Sequence, residues 1–128
     1  MARLRLALAQ VNSTVGDLDG NAARILAAVD AAAGRGAEVV VLPEMALTGY
    51  PVEDLALRGS FQDAVAKRLD RLAGELAAAG HGARAVIIGS IGTTSHGHPT
   101  NTAAVIRDGQ ITDAYLKHHL PTYGVFNE

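Results

Sequence analysis

Glu44 and Lys117 are the side chains best placed in this sequence to work as an acid–base group and a cation. Glu44 closes the run Val39-Val40-Val41-Leu42-Pro43-Glu44. Three β-branched residues and a leucine read as a strand buried on both faces, because a strand covered on both sides needs no polar alternation. Pro43 lacks a backbone donor and ends the pairing. A carboxylate just past the end of such a strand lies where open α/β sheets place their chemistry. It reads either as a general base on a rigid support or as a solvated loop glutamate. Lys117, in Tyr115-Leu116-Lys117-His118-His119-Leu120-Pro121, has the same setting: a polar group beyond a strand, with proline nearby. A protonated lysine there would stabilise a developing oxyanion. The plainer reading is a surface lysine at a strand end.

Other reactive groups are few. The chain has no cysteine, which excludes disulfides, thiolate metal ligands and a cysteine nucleophile within these 128 residues. Ser13, Ser60, Ser90 and Ser95 lie in no Gly-x-Ser-x-Gly elbow. His96 and His98 flank a glycine in a Gly/Pro/Ser-rich stretch with no third ligand, and His118-His119 has no carboxylate or cysteine at ligand spacing. No metal site is expected.

The elements that must position Glu44 and Lys117 follow from periodicity. Leu4 to Val11 reads as a first strand, Asn12 to Gly20 as a loop, and Asn21 to Ala33 as a helix with Ile25, Leu26, Val29, Ala32 and Ala33 on one face. Val39 to Leu42 is the second strand, and the strand–helix–strand order predicts a parallel pair. Ser60 is a candidate cap for a second helix whose apolar stripe is Phe61, Val65, Leu69, Leu72 and Leu76. Ala85 to Ile91 is the third strand and Thr93 to Thr100 a polar loop. Asn101–Arg107 and Gln110–Leu116 read as a hairpin joined by Asp108-Gly109. Residues 117–128 read as irregular.

Composition narrows the class. At 48% hydrophobic and 19% charged the chain is globular, and a net charge of −2 without a basic cluster gives no support for nucleic-acid binding. No apolar run is long enough for a membrane span, and the N-terminus lacks a signal-peptide pattern, so the cytoplasm is the expected location.

Taken together and in order, these features resemble the nitrilase superfamily of carbon–nitrogen hydrolases. The shared features are the first strand with its Ala9-Gln10 ending, the helix after Gly16-Asp17, Pro43-Glu44, the Asp-Gly hairpin, and Lys117 ahead of Leu120-Pro121. Two segments are similar to one branch, the glutaminase domains of glutamine-dependent NAD⁺ synthetases. These are Thr48-Gly49-Tyr50-Pro51-Val52-Glu53-Asp54-Leu55 and Lys117 to Glu128, the latter departing from the usual pattern at Thr122 and Asn127.

The resemblance implies an α/β fold, an α-β-β-α sandwich of which residues 1–128 would be the N-terminal part of a single hydrolase domain. It implies a Glu–Lys–Cys triad with Glu44 as general base and Lys117 as oxyanion-stabilising cation, the nucleophilic cysteine lying beyond this chain. Glu128 would be a second active-site carboxylate, and Tyr50 and Tyr123 would border the glutamine pocket. Glutamine would be the substrate. The ammonia would pass to a synthetase domain of the same polypeptide, absent here, where ATP and Mg²⁺ would be needed; no cofactor is expected in this chain. A homo-oligomer is implied, and the isolated chain is expected to be inactive and to fold poorly. Two other readings stand beside this one. The first is a nitrilase-type amidase, such as an ω-amidase or carbamoylase, acting on free small amides. The second is a non-catalytic module on the same fold.

Overall fold

The computed structural model describes residues 3–117. In chain order the elements are β1 (Leu6–Leu8), α1 (Leu18–Gly34), β2 (Val39–Val41), a 3₁₀ turn (Glu53–Leu57), α2 (Gly59–Ala78), β3 (Ala85–Thr93), β4 (Pro99–Arg107) and β5 (Gln110–Leu116). The strands form one sheet in the order β1-β2-β3-β4-β5. The first two pairings are parallel, as strands joined by helical crossovers require, and the last two are antiparallel hairpins. The β4–β5 turn puts Asp108 at φ 55° and Gly109 at φ 75°. That is the left-handed pair a two-residue type I′ turn needs, so the Asp-Gly reading holds.

Several boundaries differ from the sequence reading. The first strand shrinks to Leu6–Leu8, an edge strand with one neighbour among the described residues. α1 starts at Leu18 instead of Asn21, because the Asp17 carboxylate accepts the Gly20 N–H at 3.1 Å and caps the helix one turn earlier. Ser60 is not a cap. The 3₁₀ turn leads directly into α2, Arg58 occupies the N-cap, and its carbonyl accepts the Gln62 N–H at 3.0 Å, which leaves Ser60 inside the helix. The polar stretch after Ile91 is a hairpin end and not an open loop. Thr93 pairs with Pro99, and the turn between them is closed by Thr94 N–H to the His98 carbonyl at 2.9 Å. His96 and His98 sit in this turn, and both are exposed. No group of three or more metal-ligating side chains occurs among the described residues.

Both helices lie on one face of the sheet. Ile25 and Val29 of α1 and Val65, Leu72 and Leu76 of α2 pack with Val40, Val86, Ile88, Ala104 and Ile106 from the strands, all essentially buried. The helices are also tied to each other. Arg68 of α2, itself braced by Glu75 of the same helix at 2.7 Å, donates to Asp19 of α1 at 2.8 Å, and His81, just past α2, meets Asp30 of α1 at 2.5 Å. The opposite face carries the alternate residues of the same strands. There Val39, Val41 and Ile87 are half-buried and Leu6, Leu8 and Tyr115 are exposed. The apolar runs therefore predicted cover on both faces, and the described residues supply one helix layer and one sheet. No helix among them is long and apolar enough to cross a membrane.

Candidate active site

The site begins where β2 runs out. Leu42 continues the parallel ladder by donating to the Ile87 carbonyl at 2.8 Å. Pro43 has no N–H to give, so pairing stops and the chain turns across the middle of β3, at Gly89. Met45 is buried with φ 53°, a left-handed conformation that costs a side-chain-bearing residue energy and persists only where packing fixes it. The turn is held by Ala46 N–H to the Pro43 carbonyl at 3.2 Å, Gly49 N–H to the Met45 carbonyl at 2.8 Å, and Leu47 N–H to the Gly89 carbonyl at 3.1 Å.

Gly89 is what allows this approach. A Cβ at that position would fall 2.2 Å from the Pro43 carbonyl oxygen, 2.5 Å from the Met45 nitrogen and 2.8 Å from Glu44 Cα. Only hydrogen fits there. Asn21, fully buried on α1, fastens the turn from the other side. Its Oδ1 accepts the Thr14 N–H, and its Nδ2 donates to the carbonyls of Thr14 and Leu47, each at 2.8 Å. Ser13 Oγ adds a bond to the Ala46 carbonyl at 2.6 Å.

Lys117 arrives from the other edge. It is the residue after β5, and its N–H donates to the Asn101 carbonyl at 2.9 Å, which extends the β4–β5 ladder by one step. Its Nζ then lies 3.0 Å from Glu44 Oε1. The two groups that the sequence singled out thus meet across 73 residues of chain. Asn101 completes the cluster. It is buried on β4, and its Nδ2 donates to the same Glu44 Oε1. Sequence reasoning placed Asn101 only as the start of a strand.

Glu44, Asn101 and Lys117 line one cleft of about 450 Å³ on the open face of the sheet, with Val41, Ile87, Gly89 and Tyr115 beneath and beside them. Among the described residues, no donor reaches Glu44 Oε2. Burial pushes the Glu44 carboxyl upward. The hydrogen bonds from Lys117 and Asn101 and the Lys117 charge outweigh this, and the group titrates below the ordinary carboxylate value. It is therefore ionised at neutral pH beside a cation. The pair is about half-exposed, with side-chain accessibilities of 51% for Lys117 and 46% for Glu44. Tyr50 is exposed and is not one of the residues lining this cleft. Tyr123 and Glu128 lie outside the described residues.

The architecture, a mixed α/β sheet with two helices on one face, is that of the nitrilase-like hydrolases. A structure of glutamine-dependent NAD⁺ synthetase from Acinetobacter baumannii, in complex with ADP, superposes with a TM-score of 0.78 at 32% identity, over 96% of this chain and 22% of that one. An amidase from Nesterenkonia sp. superposes with a TM-score of 0.74 at 25% identity, over 94% of this chain and 44% of that one.

Residues 5–128 match the carbon-nitrogen hydrolase family, and the chain belongs to it. The glutamine-dependent NAD⁺ synthetase of Thermotoga maritima is 42% identical over 128 residues, which is 100% of this chain and 21% of that protein. The chain spans about a fifth of the length of the synthetases it matches.

Proposed function

We propose that these residues form the acid-and-cation half of a glutaminase site that hydrolyses the side-chain amide of glutamine and supplies ammonia for ATP-dependent NAD⁺ synthesis. The single observation that carries this reading is the 3.0 Å contact between Glu44 Oε1 and Lys117 Nζ at the mouth of one cleft. The reading makes residues 1–128 the first part of one hydrolase domain whose thiol comes from outside them. The half-covered apolar face supports that, since it is the face a further layer would close.

The chemistry follows from the charges. Glu44 accepts the thiol proton, and the sulfur attacks the amide carbon. Negative charge moves to the amide oxygen, where Lys117 stabilises it. The C–N bond then breaks and the nitrogen leaves as ammonia, taking back the proton that Glu44 held. Water, deprotonated by Glu44, cleaves the thioester to glutamate and restores the thiol. A free carboxylate is a weaker base than a free thiolate by about 4 pKa units, so the first transfer is uphill by roughly 5–6 kcal/mol in water. Lys117 closes part of that gap by favouring the thiolate as well as the oxyanion. One cation therefore serves two steps.

The ATP-dependent step lies elsewhere in this reading. Gly34, Gly36, Gly80 and Gly82 follow or close helices instead of opening them, so they offer no phosphate cradle.

The test is ammonia release from glutamine. The complete polypeptide that carries residues 1–128 should release it, and Glu44→Gln should lower kcat by roughly 10²–10⁴-fold. Residues 1–128 alone should release none. Turnover by that chain alone, or by the Glu44→Gln polypeptide at the unsubstituted rate, sinks the reading. Preference for short aliphatic amides over glutamine would favour the amidase alternative, to which the Nesterenkonia structure lends a fold.

A further inference from the structure

The cleft holds a polar side chain that neither the triad chemistry nor the fold requires as such. Asn101 sits in the middle of a strand register, where its backbone already pairs with Ile91 on one side and accepts the Lys117 N–H on the other. A hydrophobic or β-branched residue would satisfy that ladder equally well. Instead the position carries a buried amide, only 5% exposed, whose Nδ2 is spent on Glu44. A buried amide is costly unless its groups are paired, so this pairing is a built feature.

Two consequences follow from the geometry. First, Asn101 and Lys117 both donate to Oε1, while no donor among the described residues reaches Oε2. The carboxylate is thereby held in one rotational setting with one oxygen occupied and the other open. Second, the residue that clamps the acid also fixes the backbone of the cation, because its carbonyl takes the Lys117 N–H at 2.9 Å. Asn101 thus touches both groups: its side chain holds the acid, and its backbone carbonyl fixes the strand end from which the cation's side chain extends.

We propose that Asn101 is a positioning residue: it occupies Oε1 of Glu44 and anchors Lys117, so that Oε2 is the oxygen presented to the incoming thiol proton. This rests on the glutaminase reading above and deepens it. Lys117 is the charged group facing Glu44 among the described residues. β3 contributes Ile87 and Gly89 to the same cleft, and β4 contributes Asn101, Thr102 and Ala103; none of these titrates. β5 contributes Tyr115, the other ionisable side chain lining the cleft; Asn101→Ala leaves Tyr115 and Lys117 in place, so the change falls on Glu44.

The experiment compares Asn101→Ala and Asn101→Asp with the unsubstituted protein, in the complete polypeptide. Ammonia release from glutamine is followed as kcat and KM across pH, alongside thermal melts. Both variants should lose about 10–100-fold in kcat, the order expected when a reacting group loses its fixed setting, with KM for glutamine changed less than about twofold. The acidic limb of the kcat profile should move to higher pH in Asn101→Ala, because a hydrogen bond that favours the charged form is gone. It should move further in Asn101→Asp, which keeps the shape of the amide and adds a like charge. A residue that only supported the strand would lower the melting temperature and leave the limb where it is. If both variants fold and the limb stays put, the proposal is wrong while the glutaminase reading stands. If the unsubstituted polypeptide releases no ammonia from glutamine, both fall.

Discussion

Replacing Gly89 by alanine adds one methyl group at a point where the backbone of another segment already makes contact. The new Cβ would lie 2.2 Å from the Pro43 carbonyl oxygen and 2.8 Å from Glu44 Cα. Both are backbone atoms, so no side chain can swing away. Restoring an ordinary separation of ~3.5 Å requires β3 and the 43–45 turn to part by more than about 1 Å. Overpacking of this kind costs about 1–3 kcal/mol. It also carries Glu44 away from Lys117, and a shift of about 1 Å at a reacting group is worth about 10²-fold in rate. Gly74 supplies the control. It lies within α2, and a Cβ there meets nothing within 4 Å. Gly74→Ala should therefore stabilise by about 0.4–1 kcal/mol, through helix preference and a less flexible unfolded chain. The same methyl group has opposite signs at the two sites. Urea unfolding monitored by circular dichroism, together with ammonia release from glutamine, reads both quantities. Gly89→Ala with unchanged midpoint and unchanged kcat would refute the close-approach reasoning.

Two further substitutions probe the site from either side. Lys117→Met removes both the hydrogen bond and the charge that hold the Glu44 carboxyl down, so the acidic limb of ammonia release should shift to higher pH and kcat should fall by roughly 10²–10³-fold; an unmoved limb would mean that Lys117 does not set the acid. Asn21→Ala should cost about 1–3 kcal/mol in urea unfolding, because it strands the buried Leu47 carbonyl and removes the two bonds that tie the exposed Thr14 backbone to α1, and a loss under about 0.5 kcal/mol would show that the 12–16 segment is held by other contacts.

Much of this arrangement was legible in the sequence because it depends on local signals. Val39–Val41 and Val86–Ile88 declare buried strands by composition, and Asp108-Gly109 declares its turn by the backbone conformation it demands. The proline after Leu42 and the residue after Leu116 mark strand ends, which is where Glu44 and Lys117 were found. Asn101 was not legible. Its role depends on which face of β4 it occupies, and that face is fixed by the β3–β4 register. The sequence reading ended β3 at Ile91 and treated Thr93–Thr100 as a loop, so it contained no register from which the face could be deduced. Gly89 was hidden for a related reason. A glycine in an apolar strand announces a close approach by something, but the partner here is a turn 45 residues earlier, brought in by a parallel pairing that single-residue propensities do not encode. Asn21 was assigned to the start of a helix; its three hydrogen bonds to the 14 and 47 segments emerge only in the packed structure.

These observations also separate what builds the cleft from what works in it. An ion pair this exposed contributes at most about 1 kcal/mol, after side-chain entropy and screening are counted. It cannot hold two chain segments together against the loss of conformational freedom that ordering them requires, which is of order 1–2 kcal/mol per residue. The holding is done by groups other than these two side chains: the Leu47–Gly89 and Lys117–Asn101 backbone bonds, the methyl-free surface of Gly89, and the buried amide of Asn21. Glu44 and Lys117 are guests of that frame. Titration follows the same division. The folded-state carboxyl of Glu44 lies below its unfolded value, so its contribution to stability is present above the unfolded value and is lost as pH falls through the lowered one. With the pair so exposed, that contribution is small beside the frame's. In the glutaminase reading this leaves the acid and the cation free to be tuned for chemistry, because the fold does not depend on the bond between them.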